Sequence, residues 1–306
     1  MAMNELLLAL SNMPFLSSRE RENLFEKLDN IEELTVLSIE DISRIVRRPV
    51  HTGLWPSPDA RDRVERQLEI LRRYRIGMVS TLSPEYPPLL RELHDPPFTV
   101  FWRGVLPNPE RPMVAMVGTR SPTGNGAMTA ERLGREFAAL GVPVVSGLAR
   151  GIDAFAHRGN LDGGAPSVAV LACGLERIYP RSNCLLAGRM IDSGGCVIGE
   201  YPPEDEPLSF RFPQRNRIIS GLARSVIVVE APARSGALIT ADFALEQGRD
   251  LYVAEATAGT ARGEGTDRLR EDGAPAIRSA GDVVSDWSSG GTRRRERADA
   301  QAELGL

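Results

Sequence analysis

From Met113 to about Trp287, short runs of Val, Ile, Leu and Ala alternate with helical stretches. No other feature limits the fold as much. The β-type runs are Met113–Val117, Val142–Val145, Ser167–Leu171, Cys196–Gly199, Ser225–Val229 and Leu251–Ala254. Helices are expected between them, at about Ala127–Leu140 and again near Asp153. Strands that alternate with helices build a parallel sheet covered on both faces. Near-continuous apolar content is what a strand buried on both sides requires. The fold class is therefore α/β, with a mostly parallel sheet.

In such sheets ligands sit outside the carboxyl ends of the strands, and the polar punctuation falls there. Gly118-Thr119-Arg120-Ser121 follows the first run. Ser146-Gly147-Leu148-Ala149-Arg150-Gly151-Ile152-Asp153 follows the second, and Glu230 with Ser235-Gly236 follows the fifth. Glycines let an anion approach the backbone, and helix N-termini offer free N–H groups. Arg120 and Arg150 add charge to these turns. Each turn alone is ordinary strand-to-helix geometry; their convergence points to an anion pocket. There is no GxGxxG after the first strand and no GxxxxGK[ST] anywhere, so neither a dinucleotide nor a P-loop site is expected.

Phe212-Pro213-Gln214-Arg215-Asn216-Arg217-Ile218-Ile219 has the same character. Pro213 suits the first turn of a helix, the Ile pair would anchor it, and arginine forks match phosphate. Alone, the segment reads as solvated arginines on a surface helix. Asp153 and His157, four apart, could form an acid–base pair; a helix-capping Asp beside a packing histidine is the preferred reading. Glu200 and Glu230 each end a strand and are expected to brace arginines.

The rest of the chain frames this region. Residues 1–75 are charged and helix-periodic, a small all-α module read as a packing cap on the larger domain. Ser17-Ser18 and Ser57-Pro58-Asp59 look like helix starts. Residues 76–287 form the main domain, in which Thr99 to Trp102 is expected as an edge strand. Residues 288–306, with Arg293-Arg294-Arg295, are expected to be a disordered tail. The net charge of −4 gives no global basic field, so a nucleic-acid partner needs a local positive groove. Cys173, Cys184 and Cys196 form no CxxC pair and share no ligand spacing with the histidines. No metal and no cofactor are expected, and a reducing, cytoplasmic setting is the simpler one. No apolar run approaches membrane-spanning length.

Together these loops resemble the DprA/Smf family of bacterial DNA-processing proteins over roughly Ile76 to Trp287. The matching pieces include Tyr86-Pro87-Pro88, Gly118-Thr119-Arg120, the Ser146–Asp153 loop with Ala156-His157, and Tyr179-Pro180 with Asn183. Further along are Phe212 to Leu222, Val229-Glu230-Ala231 and Ser235 to Ala241. The resemblance implies an extended Rossmann-like domain that binds single-stranded DNA, homodimerises and loads the RecA recombinase during natural transformation, without catalysis. The implied DNA-binding set is Gly118, Thr119, Arg120, Ser146, Gly147, Arg150, Asn183, Arg215, Asn216, Arg217, Ser235 and Gly236. It also implies a SAM-like character for residues 1–75. Glu255 and Asp267 depart from the family pattern and add negative charge near the expected rim. The alternative is a nucleotide-processing hydrolase of the lysine-decarboxylase-like group using Glu230; the chain lacks that group's Pro-Gly-Gly-x-Gly-Thr motif.

Overall fold

The computed structural model describes residues 2–52 and 59–289. Helices α1 (Ala2–Ser11), α2 (Ser18–Phe25), α3 (Ile31–Val36), α4 (Ile39–Val46) and α5 (Ala60–Tyr74) come first. Ser17 caps α2 in a reciprocal box with Glu20, and Ser38 does the same for α4 with Asp41. Ser57 and Pro58 lie outside the described residues, and Asp59 precedes α5 without a side-chain cap.

An antiparallel pair follows: β1 (Ile76–Ser80) and β2 (Thr99–Gly104), joined through the short α6 (Pro88–Arg91). The alternating part then runs β3 (Val114–Val117), α7 (Gly124–Ala139), β4 (Val144–Ser146), α8 (Ile152–Asp162) and β5 (Val168–Val170). It continues with α9 (Cys184–Asp192), β6 (Cys196–Gly199), α10 (Arg211–Gly221) and β7 (Ser225–Val228). Last come α11 (Gly236–Glu246), β8 (Asp250–Ala254), α12 (Glu264–Glu271), β9 (Ala276–Ile277) and a final helix, α13, over residues 280–289. The expected strands are all present.

Among the described residues the sheet order is β1-β2-β6-β5-β4-β3-β7-β8-β9. Strands β3 to β9 pair in parallel, while β2 pairs antiparallel with both β1 and β6. The residues expected at an edge therefore sit one strand in, and β1 takes the edge. The chain winds outward from β3 through β4, β5 and β6, then returns to the other side of β3 with β7. That reversal puts a topological switch point between β3 and β7, where open α/β sheets bind ligands.

The β3, β4 and β7 side chains are buried throughout, as strands covered on both faces should be. One apolar cluster joins the N-terminal helices to the sheet, from Leu8, Leu24 and Ile42 to Phe101, Leu171 and Val197. At the far end α13 is pinned by the Trp287 indole, which donates to Ser225 Oγ (2.6 Å). Ser288 and Ser289 end this helix instead of starting a tail, and 290–306 lie outside the described residues. No described helix is long and apolar enough to cross a membrane.

Candidate nucleic-acid interface

Three strand ends are stitched together at the switch point. Thr119 N donates to Glu230 O (2.7 Å), and Ile152 N donates to Thr119 O (3.1 Å). Gly151 has φ +80, and a Cβ there would stand 2.3 Å from Thr119 O, so only glycine fits. Asp153 closes the loop after β4: its Oδ2 accepts from Gly147 N (3.1 Å) and Ala149 N (3.2 Å). Burial pushes the Asp153 carboxyl up, while Arg215 and these amides act in the opposite direction.

Four residues expected at the DNA surface belong to this frame instead. Ser146 is fully buried and donates to Met116 O (2.6 Å). Asn183, 7% exposed, donates to Leu148 O (2.9 Å) and Ala149 O (3.2 Å). Arg215 is 5% exposed; its Nη1 donates to Gly147 O (2.8 Å) and to Val170 O. Burial lowers the Arg215 guanidinium to about 10, with Asp153 acting the other way. Gly147 rests on that guanidinium, since a Cβ there would meet its Nη1 at 2.6 Å. Buried carbonyls at the end of β5 and in the loop after β4 need donors, and Arg215 and Asn183 supply them.

The helix periodicity explains why the Arg-Asn-Arg segment does not act as one unit. Successive residues of a 3.6-residue turn point about 100° apart. Arg215 faces β4 and β5. Asn216 turns to α11, donating to Gly236 O (3.1 Å). Arg217 turns away from both and forms an ion pair with Glu200. Burial raises the Glu200 carboxyl, and Arg217 opposes that. Ser235 is spent as the α11 cap, accepting from Ala237 N (3.2 Å).

The exposed part of the rim is a short stack. The Arg120 guanidinium lies 5.6 Å from the Phe212 ring centroid, and Phe212 lies 5.5 Å from Tyr179 at an interplanar angle of 52°. Tyr179 is 44% exposed, and Arg120 is exposed. Arg150, also exposed, reaches Ser182 Oγ (3.4 Å) on the segment leading to α9. Two exposed cations, the exposed Tyr179 and the half-buried Phe212 thus lie together above the frame. The sequence reading did not place these two rings in the candidate site. The available signal was an aromatic immediately before the helix-starting proline and another before Pro180.

Residues 77–288 match the family model described as DNA recombination-mediator protein A. The chain belongs to this family. It is similar to DNA processing protein DprA of Bacillus subtilis, 37% identical over 225 residues that cover 73% of this chain and 75% of that one. It is 40% identical to the Streptococcus pneumoniae DprA over 210 residues, 68% of this chain and 73% of the other. The X-ray structure of the S. pneumoniae DprA superposes with a TM-score of 0.72 at 32% identity, covering 92% of this chain and 97% of that one. The Helicobacter pylori DprA, reported for its single-stranded DNA binding mode, gives a TM-score of 0.63 at 27% identity, covering 71% and 97%. An extended Rossmann-like domain with helices before it is thus this family's fold.

The remaining expectations at the rim of this family member sort as follows. Glu230 does not brace an arginine. It is fully buried, and its carboxylate accepts from Thr123 N (2.8 Å), Thr123 Oγ (2.7 Å) and Thr260 Oγ (2.8 Å). It thereby holds the start of α7 to the loop after β8. Asp153 and His157 are no acid–base pair: Asp153 serves the loop, and His157 Nδ1 meets Ser167 Oγ (2.6 Å) in a fully buried site. The two departures from the family pattern carry little free charge to the rim. Glu255 is paired with Arg278, and Asp267 accepts from Gly259 N (3.1 Å) and faces Arg270 (3.7 Å).

Proposed function

We propose that this protein binds single-stranded DNA across the Arg120–Phe212–Tyr179 rim and acts as a non-enzymatic mediator in DNA processing. The observation that carries this reading is the Arg120–Phe212–Tyr179 stack, with Arg120 and Tyr179 exposed and Phe212 half-buried, above strand ends tied to one another. Bases of any identity stack on aromatic side chains, and arginines meet the phosphates, so such a platform has little sequence preference. The related H. pylori protein, with its single-stranded DNA binding mode, supports the assignment. Exposed bases are needed for stacking, so single strands should be preferred to duplex. In this reading Arg120 and Arg150 contact phosphates, Phe212 and Tyr179 contact bases, and Gly118, Thr119, Gly147, Asn183 and Arg215 hold the geometry. The complex would act as a cytoplasmic homodimer that hands the strand to the RecA recombinase.

The hydrolase alternative needs an accessible carboxylate at the rim. Glu230 has none of its surface exposed and all its near donors come from the chain itself.

Fluorescence anisotropy with single- and double-stranded oligonucleotides tests the reading. Arg120→Ala should weaken single-strand binding and lower the log–log salt slope by about 0.7. Phe212→Ala should weaken it about 5-fold or more with the slope unchanged, because stacking releases no counterions. Unaltered affinity in both variants would remove the rim from the mechanism. RecA filament growth on a strand already coated by single-strand-binding protein, with and without this protein, tests the handover.

A further inference from the structure

A cavity of about 640 Å3 lies between the N-terminal helices and the start of α10. Phe210, 57% exposed, forms part of its wall and stands two residues before Phe212 of the rim. Arg21, Arg63, Arg211 and Arg217 line it, against Asp95, Glu200 and Asp205. Four cations against three carboxylates leave one positive charge uncompensated.

The pairing inside the cavity spreads that surplus over Arg21 and the Arg63–Arg211 pair. Arg211 (3.1 Å) and Arg63 (3.6 Å) share Asp205. Arg217 pairs with Glu200, and its buried Nη1 has no hydrogen-bond partner among the described residues. Arg21 gives Nε and Nη2 to the Met13 carbonyl (3.2 and 2.9 Å) and, among the described residues, makes no ion pair. Burial lowers the Arg21 guanidinium, and Glu200 and Asp95 oppose that from beyond ion-pair distance; an anion placed directly beside a partly desolvated cation offsets the cost further. The opening also continues. A neighbouring cavity of about 950 Å3 shares Ser17, Ser18 and Asp95 with the first and adds Arg19 and Arg91, with Glu22 opposing them.

We propose that this groove carries the same strand onward from the rim, with a phosphodiester against Arg21 and a base beside Phe210. The inference rests on the strand-binding reading above and gives the N-terminal helices part of the DNA footprint. One phosphodiester has the single negative charge that the surplus calls for. The mixed carboxylate and guanidinium lining suits base edges, which both donate and accept. Phe210 links the two surfaces along one segment of chain, which a site for a small free anion would not require.

The test is a length series of oligothymidylates, from about 6 to about 20 nucleotides, on the full chain. Arg21→Gln and Phe210→Ala should each weaken the longer oligonucleotide about 5-fold or more and leave the shortest unchanged. Arg21→Gln should also lower the salt slope by about 0.7, for the longer strand alone. Phe210 is exposed, so its variant folds even if the Arg21 one is perturbed. Equal losses at every length, or no loss at the longer one, would overturn the groove. Arg120→Ala is the control for the rim: it should weaken every length. If it weakens none, the rim assignment fails independently of the groove.

Discussion

Replacing Glu230 with glutamine separates a structural carboxylate from a catalytic one. The carboxylate lies at the N-terminus of α7, fully buried, and accepts three hydrogen bonds from Thr123 and Thr260. Among the described residues no ion pair reaches it; the positive end of the α7 dipole takes the place of a cation. Hydrogen bonds to a charged group contribute about 1.5–3 kcal/mol each, against about 0.5–1.5 for neutral ones. The glutamine amide can turn so that its oxygen accepts from Thr123 N and its nitrogen donates to the two hydroxyls. All three contacts survive in that pose, but each loses its charge assistance, roughly 1 kcal/mol apiece. The loss of favourable dipole interaction adds about 0.3–1 kcal/mol. Glu230→Gln should therefore destabilise the fold by about 3–4 kcal/mol. Urea denaturation reads this as a lower midpoint with an unchanged m-value. Nucleoside monophosphates incubated with either protein should release no base. A variant within about 0.5 kcal/mol of wild type would refute the account of the carboxylate as a structural tie. Base release by wild type that disappears in the variant would establish the enzyme instead.

Two further outcomes follow from buried polar groups. Burial pushes His157 down to about 3, so between pH 6.5 and 3 the unfolded chain takes up a proton that the folded one refuses. Stability should fall with pH across that window by about 1.4 kcal/mol per unit, and His157→Leu should remove that part of the slope. The raised carboxyls Asp153, Glu200 and Asp205 act in the opposite sense but are common to both proteins. Identical slopes in urea titrations at pH 6 and pH 5 would contradict the assignment. Gln67 is fully buried in α5, exchanges amide hydrogen bonds with Asn12 (2.7 and 3.1 Å) and donates to Pro203 O (2.8 Å). Gln67→Leu should cost about 2–4 kcal/mol by leaving those partners unpaired, and a thermal midpoint unchanged to within a degree would show otherwise.

The α/β class and the strand positions were legible because period and composition are local properties. A strand buried on both faces must be apolar along its whole length, and Val114 to Val117 or Ser225 to Val228 read that way without any partner in view. The edge was misplaced because pairing is not local. Nothing within Thr99–Trp102 shows that β1 will cover its outer side. The Arg-Asn-Arg segment was misread for a similar reason. Its chemistry is visible in the sequence, but the rotation that sends Arg215 inward to Val170 O and Arg217 across to Glu200 depends on where α10 lies against the sheet. The contacts of Phe212 with Tyr179 and Arg120 were not legible because they join residues far apart in the chain.

The larger correction concerns what the glycine-rich turns are for. Sequence reasoning gave them to an incoming anion, as backbone amides left open at helix starts. The structure fills four of those amides from within. Asp153 takes Gly147 N and Ala149 N, Glu230 takes Thr123 N, and Ser235 takes Ala237 N. The glycines serve close approach of chain to chain: Gly147 over the Arg215 guanidinium, Gly151 against Thr119 O. An amide cradle preorganised for phosphate would bind tightly and orient its ligand, as a nucleotide-processing site must. A frame in which these amides are taken leans on side chains to meet a ligand. Arginines and rings on a rigid base suit a flexible polymer, gripped through many weak contacts.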